Sequence, residues 1–114
     1  MKLKLQTLKK NKMTFVTPEQ IKVRLQNGEN LNLVDVREPH ENAEFNIGGL
    51  LLPLGKIQTM QIEDIEDLKD QEVICYCRSG QRSMNACMIL ETFGFTNVSN
   101  LTGGMLGWKE LYGG

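Results

Sequence analysis

The apolar residues of the chain fall into short runs, and what separates the runs tells helix from strand. Thr17-Pro18-Glu19-Gln20 reads as a helix start, with a hydroxyl at the cap position and proline in the first turn. Ile21 and Leu25 then lie one turn apart on one face, and Gly28 ends the pattern. Leu31 to Val36, LNLVDV, is a mostly apolar β-type run, and Pro39 opens a short helix reaching about Phe45. Leu50 to Leu54 is another apolar run, interrupted by Pro53. Gln58 to Lys69 scatters Met60, Ile62, Ile65 and Leu68 among acids, which predicts a weak or broken helix with a solvated outer face. Val73 to Tyr76 is a short buried strand. Gln81 to Phe93, with Met84, Ala86, Cys87, Met88, Ile89 and Leu90, is a helix closed by Gly94. Phe95 to Leu101 supplies a last strand, Gly103 and Gly104 a turn, and Met105 to Tyr112 a terminal helix carrying Trp108 and Leu111.

Strands that are apolar on both faces and alternate with helices predict an α/β fold: a mainly parallel central sheet of about five strands, flanked by helices on both faces. A chain of 114 residues suits one domain that folds without a disulfide or metal. Residues 1–12, MKLKLQTLKKNK, are basic with single apolar residues only, so they read as a flexible N-terminal arm before a domain spanning 13–114. That arm lacks the apolar centre of a secretory signal, and no segment approaches the roughly 18 apolar residues of a membrane span.

Charge narrows the function classes. The net charge is -1 and the basic residues are scattered without interleaved aromatics, which argues against nucleic acid. The three cysteines, Cys75, Cys77 and Cys87, crowd into one segment. An odd, clustered set fits a reducing cytoplasm better than an extracellular disulfide framework.

Candidate chemistry concentrates in VICYCRSGQRSMNAC, Val73 to Cys87. Cys77 stands at the carboxyl end of a strand, where open parallel sheets bind ligands. The chain from Arg78 through Ser79, Gly80, Gln81 and Arg82 must curl into the next helix, and Gly80 relieves that curl. Such a loop turns successive N–H groups inward, and the helix start adds about half a positive charge. With Arg78 and Arg82 beside it, the Cys77 thiol is expected to be acidified and nucleophilic. Cys75, inside the strand, and Cys87, on the helix, read as core residues.

The motif CRSGQRS after VICYC resembles the active-site loop of the rhodanese-like sulfurtransferases. LVDVREPHE is similar to that family's DVRE segment, EFNIGGLLLPLG to its third strand, and LTGGMLGWK to its closing GG and tryptophan helix. The resemblance covers about Phe15 to Leu111. It implies a single-domain rhodanese fold and a sulfurtransferase of the thiosulfate type, with Cys77 holding sulfane sulfur as a persulfide. It implies that Arg78 to Arg82 bind a small anionic sulfur donor, with a thiol, cyanide or a protein as acceptor, and it calls for no cofactor or metal. One departure stands out: where the family often reads Gly-His-Ile, this chain has Asn46, Ile47, Gly48 and Gly49. That places local packing in question rather than the chemistry.

Asp35 and Arg37 close the strand expected beside the cysteine strand, and both read as supporting residues. Asp35 is expected to hydrogen-bond the active loop and Arg37 to pair with Glu44; exposed end-of-strand charges are the plainer alternative. His40, between Glu38 and Glu41 at a helix start, reads as a solvated residue rather than a base. Gly103 and Gly104 read as a turn, since no GKS or GKT follows. The terminal Gly113-Gly114 pair is similar to the tails of ubiquitin-like sulfur carriers, yet it reads as a frayed end on an α/β chain.

Three other functions compete. A non-catalytic binding module of the same fold would lack the loop cysteine, which is present. A phosphatase or arsenate reductase loop carries five residues between Cys and Arg, whereas four separate Cys77 from Arg82. A metal or redox site on Cys75 and Cys77 lacks further ligands to complete a tetrahedron.

Overall fold

The computed structural model of the protein describes residues 12–114, so the N-terminal arm lies, except for Lys12, outside the described residues. Strand and helix alternate throughout. β1 (Thr14–Val16) leads into α1 (Pro18–Gln26), β2 (Leu33–Asp35) into α2 (Pro39–Glu44), and β3 (Leu50–Leu51) into α3 (Leu54–Gln58) and a 3₁₀ helix (Glu63–Leu68). β4 (Val73–Tyr76) leads into α4 (Gln81–Thr92), and β5 (Val98–Leu101) into α5 (Gly104–Tyr112). The five strands form one sheet in the order β1-β5-β4-β2-β3, with every pairing parallel. The cysteine strand β4 is therefore central.

Strand periodicity divides the core between the two faces of the sheet. On β4, Val73 and Cys75, with Cys77 beyond them, join Val34, Val36, Ile57, Ile65, Ala86, Cys87 and Leu90 in one apolar cluster. Ile74 and Tyr76 point the other way and pack with Ile21, Leu33, Leu101, Met105 and Trp108. α3 and α4 thus cover one face, and α1 and α5 the other. This is the two-sided burial that a parallel sheet requires, and it is why its strands carry no polar face. Trp108 is buried as the anchor of α5, edge-on to Tyr112.

Local chemistry sets the element boundaries. The Thr17 hydroxyl accepts the N–H of Gln20 at 3.1 Å while the Gln20 side chain accepts the N–H of Thr17 at 2.8 Å, satisfying two donors that a helix start leaves open. The Gln58–Lys69 segment is broken, as its pattern suggests: α3 stops at Gln58, Met60 takes a left-handed backbone, and the acids ride on the 3₁₀ helix. The run Leu50–Leu54 is a strand only at its first two residues, because Pro53 caps α3. β1 carries the exposed Thr14 and Phe15 on the sheet edge, so hydrophobic patterning gives it little signal.

The departure at Ile47-Gly48-Gly49 packs well. Gly49 has φ +88, and a Cβ there would collide with the carbonyl oxygen of Leu33. A glycine is thus what lets the chain cross close to β2 before β3 begins. The Tyr76 hydroxyl donates to Gly48 O at 2.9 Å and accepts the N–H of Ile47 at 3.4 Å, tying the bend to the central strand.

Candidate active site

Cys77 follows the last residue of β4, and the next three residues curl over it before α4 begins. Gly80 makes the curl possible: it caps α4 in a left-handed conformation, φ 111. The turn aims hydrogen-bond donors at the sulfur. The N–H of Gly80 lies 3.1 Å from Cys77 Sγ, and the N–H and hydroxyl of Ser83 each lie 3.4 Å away. Burial pushes the Cys77 thiol up, but the Ser83 hydroxyl and the amides of Ser83, Gly80 and Ser79 outweigh it and hold the group below the usual thiol value.

The neighbouring thiols behave differently. Cys75 is fully buried, and the neighbouring Cys87 thiol together with burial pushes its pKa well up. Cys87 donates to the carbonyl of Ser99 at 3.4 Å. All three thiols are free and share one core layer, yet the amide donors converge on Cys77 alone.

The five loop residues singled out in the sequence separate into two groups. Gly80 is buried and supplies a donor to the sulfur, whereas Arg78, Ser79 and Gln81 have exposed side chains at the rim. Arg82, on the first turn of α4, is engaged elsewhere: its Nη1 and Nη2 donate to Glu41 Oε1 and Oε2 at 2.7 and 2.9 Å. Arg82 shares its charge with Glu41, and the largest influences that lower the Cys77 pKa are the hydrogen bonds from Ser83, Gly80 and Ser79.

The expectations for Asp35 and Arg37 also change. Both are buried rather than solvated, and they pair with each other: Arg37 Nε and Nη2 donate to Asp35 Oδ1 and Oδ2, each at 2.8 Å. Asp35 takes its further bonds from the N–H of Arg37 at 3.0 Å and from Asn42 Nδ2 at 2.9 Å, not from the cysteine loop. Arg37 reaches the carbonyl of Phe45 at 2.6 Å and stacks over Tyr76, rather than pairing with Glu44. Two residues apart at a strand end, the side chains fold onto one another, because each needs a full set of partners once buried. The pair clamps the turn between β2 and α2, the helix that carries Glu41. His40 lies exposed on α2.

Three residues of the site escape sequence reasoning. Ser83 stands one helical turn past the curl, in CRSGQRS, and the i+6 return of a strand-to-helix loop is the signal that marks it. Asn100, buried on β5, holds a short hydrogen bond from the Ser83 hydroxyl and donates to Gly80 O at 3.2 Å. A lone amide in the strand VSNL beside the cysteine strand was its only trace. Glu41 lies in the LVDVREPHE segment, but its pairing with Arg82 spans 41 positions and leaves no sign in the sequence.

Access to the sulfur is restricted. Cys77 is 1% exposed, so a partner reaches Sγ only through a shift of the rim. A cavity of about 170 Å³ opens beside the loop, lined by Phe15, Ser79, Gly80, Gln81, Met84 and Asn100 among others. A larger one of about 480 Å³ lies between β1 and α1, away from Cys77 and its donors.

Comparison with known proteins agrees with this fold. The family model "Rhodanese-like domain" matches residues 17–111. The chain is 40% identical over 96 residues to a protein of Allochromatium vinosum named "Sulfurtransferase", covering 83% of this chain and 87% of that one. It is 42% identical over 91 residues to "Putative sulfurtransferase YtwF" of Bacillus subtilis, covering 78% and 84%. Among solved structures, a rhodanese-like domain protein from Staphylococcus aureus superposes with a TM-score of 0.74 at 27% identity, over 84% of this chain and 91% of that one.

Proposed function

Because the chain belongs to the rhodanese-like domain family, we propose that it is a sulfurtransferase in which Cys77 carries sulfur as a persulfide. The observation that supports this reading is the ring of donors from Gly80 and Ser83 around Cys77 Sγ. Donors fixed in a closed site stabilise an anion without reorganising, and sulfur stays anionic at each stage of this chemistry.

In the first half-reaction the Cys77 thiolate attacks the outer sulfur of a sulfane donor. With thiosulfate, a bond forms between Sγ and that sulfur, the donor S–S bond breaks, and sulfite leaves with the electron pair. In the second half-reaction a thiolate or cyanide attacks the terminal sulfur, and Sγ departs as a thiolate onto the amides that held it at the start. No proton has to move when both nucleophiles are anions, so the site works without a general base. Arg78, Ser79 and Gln81 form the donor-binding rim with the Gly80 amide beneath it and Arg82 held at its edge by Glu41, while Asp35 and Arg37 support the adjoining turn. Three free thiols suit a reducing compartment such as the cytoplasm.

Incubation with thiosulfate or a low-molecular-weight persulfide, followed by intact-mass measurement, tests the reading. One added sulfur atom in the wild type and none in Cys77→Ser is the expected result. Persistence of the gain in Cys77→Ser, or no gain from either donor, would overturn it.

A further inference from the structure

The loop holds two arginines, but their charges are not equally available. Arg78 is exposed and takes part in no salt bridge among the described residues. Arg82 is held in a bidentate pair by Glu41, whose side chain is only 19% exposed. Glu41 is itself fixed, because its Oε1 also accepts the N–H of Glu38 across the start of α2 at 3.0 Å. Arg82 directly precedes Ser83, whose N–H lies 3.4 Å from Cys77 Sγ, so the pair is anchored beside the ring of donors around the sulfur.

We propose that Glu41 is a specificity-determining residue: it cancels the charge of Arg82 at the mouth of the site and so discriminates against dianionic sulfur donors in favour of less charged persulfides. This proposal rests on the sulfurtransferase reading of Cys77. A dianion such as thiosulfate meets one free guanidinium, one neutralised guanidinium and a carboxylate that repels it. A persulfide of a small thiol or of a protein brings at most one charge to the reacting sulfur, and the inward amides suffice for it. A bidentate arginine–carboxylate pair is a rigid unit, so an incoming anion must break it before it gains Arg82.

The test compares steady-state kinetics of wild type, Glu41→Gln and the double variant Glu41→Gln/Arg82→Gln with two donors, thiosulfate and the persulfide of cysteamine. Glutamine keeps the acceptor for the Glu38 N–H, and thermal unfolding of each variant checks the fold. The proposal predicts that E41Q raises kcat/KM for thiosulfate roughly threefold to fivefold, mainly through KM. The cysteamine persulfide should change by less than about twofold, and the double variant should return the thiosulfate value toward wild type. If E41Q lowers both donors in parallel, or leaves their ratio unchanged, Glu41 is only structural and the proposal fails while the sulfurtransferase reading stands. If the wild type transfers sulfur from neither donor, that reading itself fails.

Discussion

The backbone N–H of Met105 donates to the carbonyl of Cys77 at 2.9 Å, and the N–H of Leu106 donates to the carbonyl of Arg78 at the same distance. The start of α5 therefore backs the cysteine loop: it takes up the carbonyls of Cys77 and Arg78 while the Gly80 and Ser83 amides meet the sulfur. Gly104 makes the approach possible, since it has φ +55 and a Cβ there would run into the carbonyl oxygens of Cys77 and Arg78. Gly104→Ala should cost about 3 kcal/mol in urea denaturation and lose most sulfur transfer. Gly55→Ala is the control, because Gly55 lies in a helix with open space around it, and it should be neutral or up to about 1 kcal/mol stabilising.

Arg37 and Asp35 form a buried pair in which neither group has water as an alternative partner. Arg37→Met should leave the Asp35 carboxylate uncompensated and cost about 3–5 kcal/mol in chemical denaturation. Adding Asp35→Asn should recover part of that loss, because the remaining buried group is then neutral. A double-variant stability equal to the sum of two single losses would show that the residues act separately.

Glu41 links the acid limb of stability to the site. Arg82 holds its carboxyl at about 2, against an ordinary value of 4.5. The folded value lies below the unfolded one, so the contribution is complete above pH 4.5 and disappears as pH falls toward 2. Partial exposure of Arg82 limits it to about 1 kcal/mol. The stability gap between wild type and Glu41→Gln should therefore be about that size at neutral pH. It should close across this acid window when unfolding is followed by circular dichroism.

Ser83 tests whether side-chain donors add to the amides. Its hydroxyl faces Cys77 Sγ, Gly80 O and Asn100 Oδ1 with one proton to give. Ser83→Ala should raise the Cys77 titration midpoint, because the hydroxyl proton that turns from Asn100 Oδ1 to the thiolate is lost while both amide donors remain. Titration of thiolate ultraviolet absorbance reads this without any reagent entering the site.

Much of the fold was legible because burial imposes it. Strands covered on both faces leave apolar runs such as Val73–Tyr76, and caps such as Thr17 with Gln20 close backbone groups locally. β1 was invisible because an edge strand of three residues with Thr14 and Phe15 exposed carries no burial pattern. At the site, Cys77 and Gly80 could be read from the strand-to-helix turn, since that geometry depends on adjacent residues. The partners of Arg82 and Arg37 could not be read. Sequence spacing does not choose between partners: Arg82 meets Glu41 across 41 positions, while Arg37 pairs with Asp35 two positions away rather than with Glu44 seven away.

The central claim is that amide and hydroxyl donors favour the anionic form of the Cys77 sulfur, and thiolate absorbance followed against pH in wild type and Cys77→Ser measures it most directly. The account predicts that the difference between the two curves is a single titration with its midpoint below the roughly 8.5 of a free thiol. A midpoint at or above that value, or two curves that coincide, would contradict it.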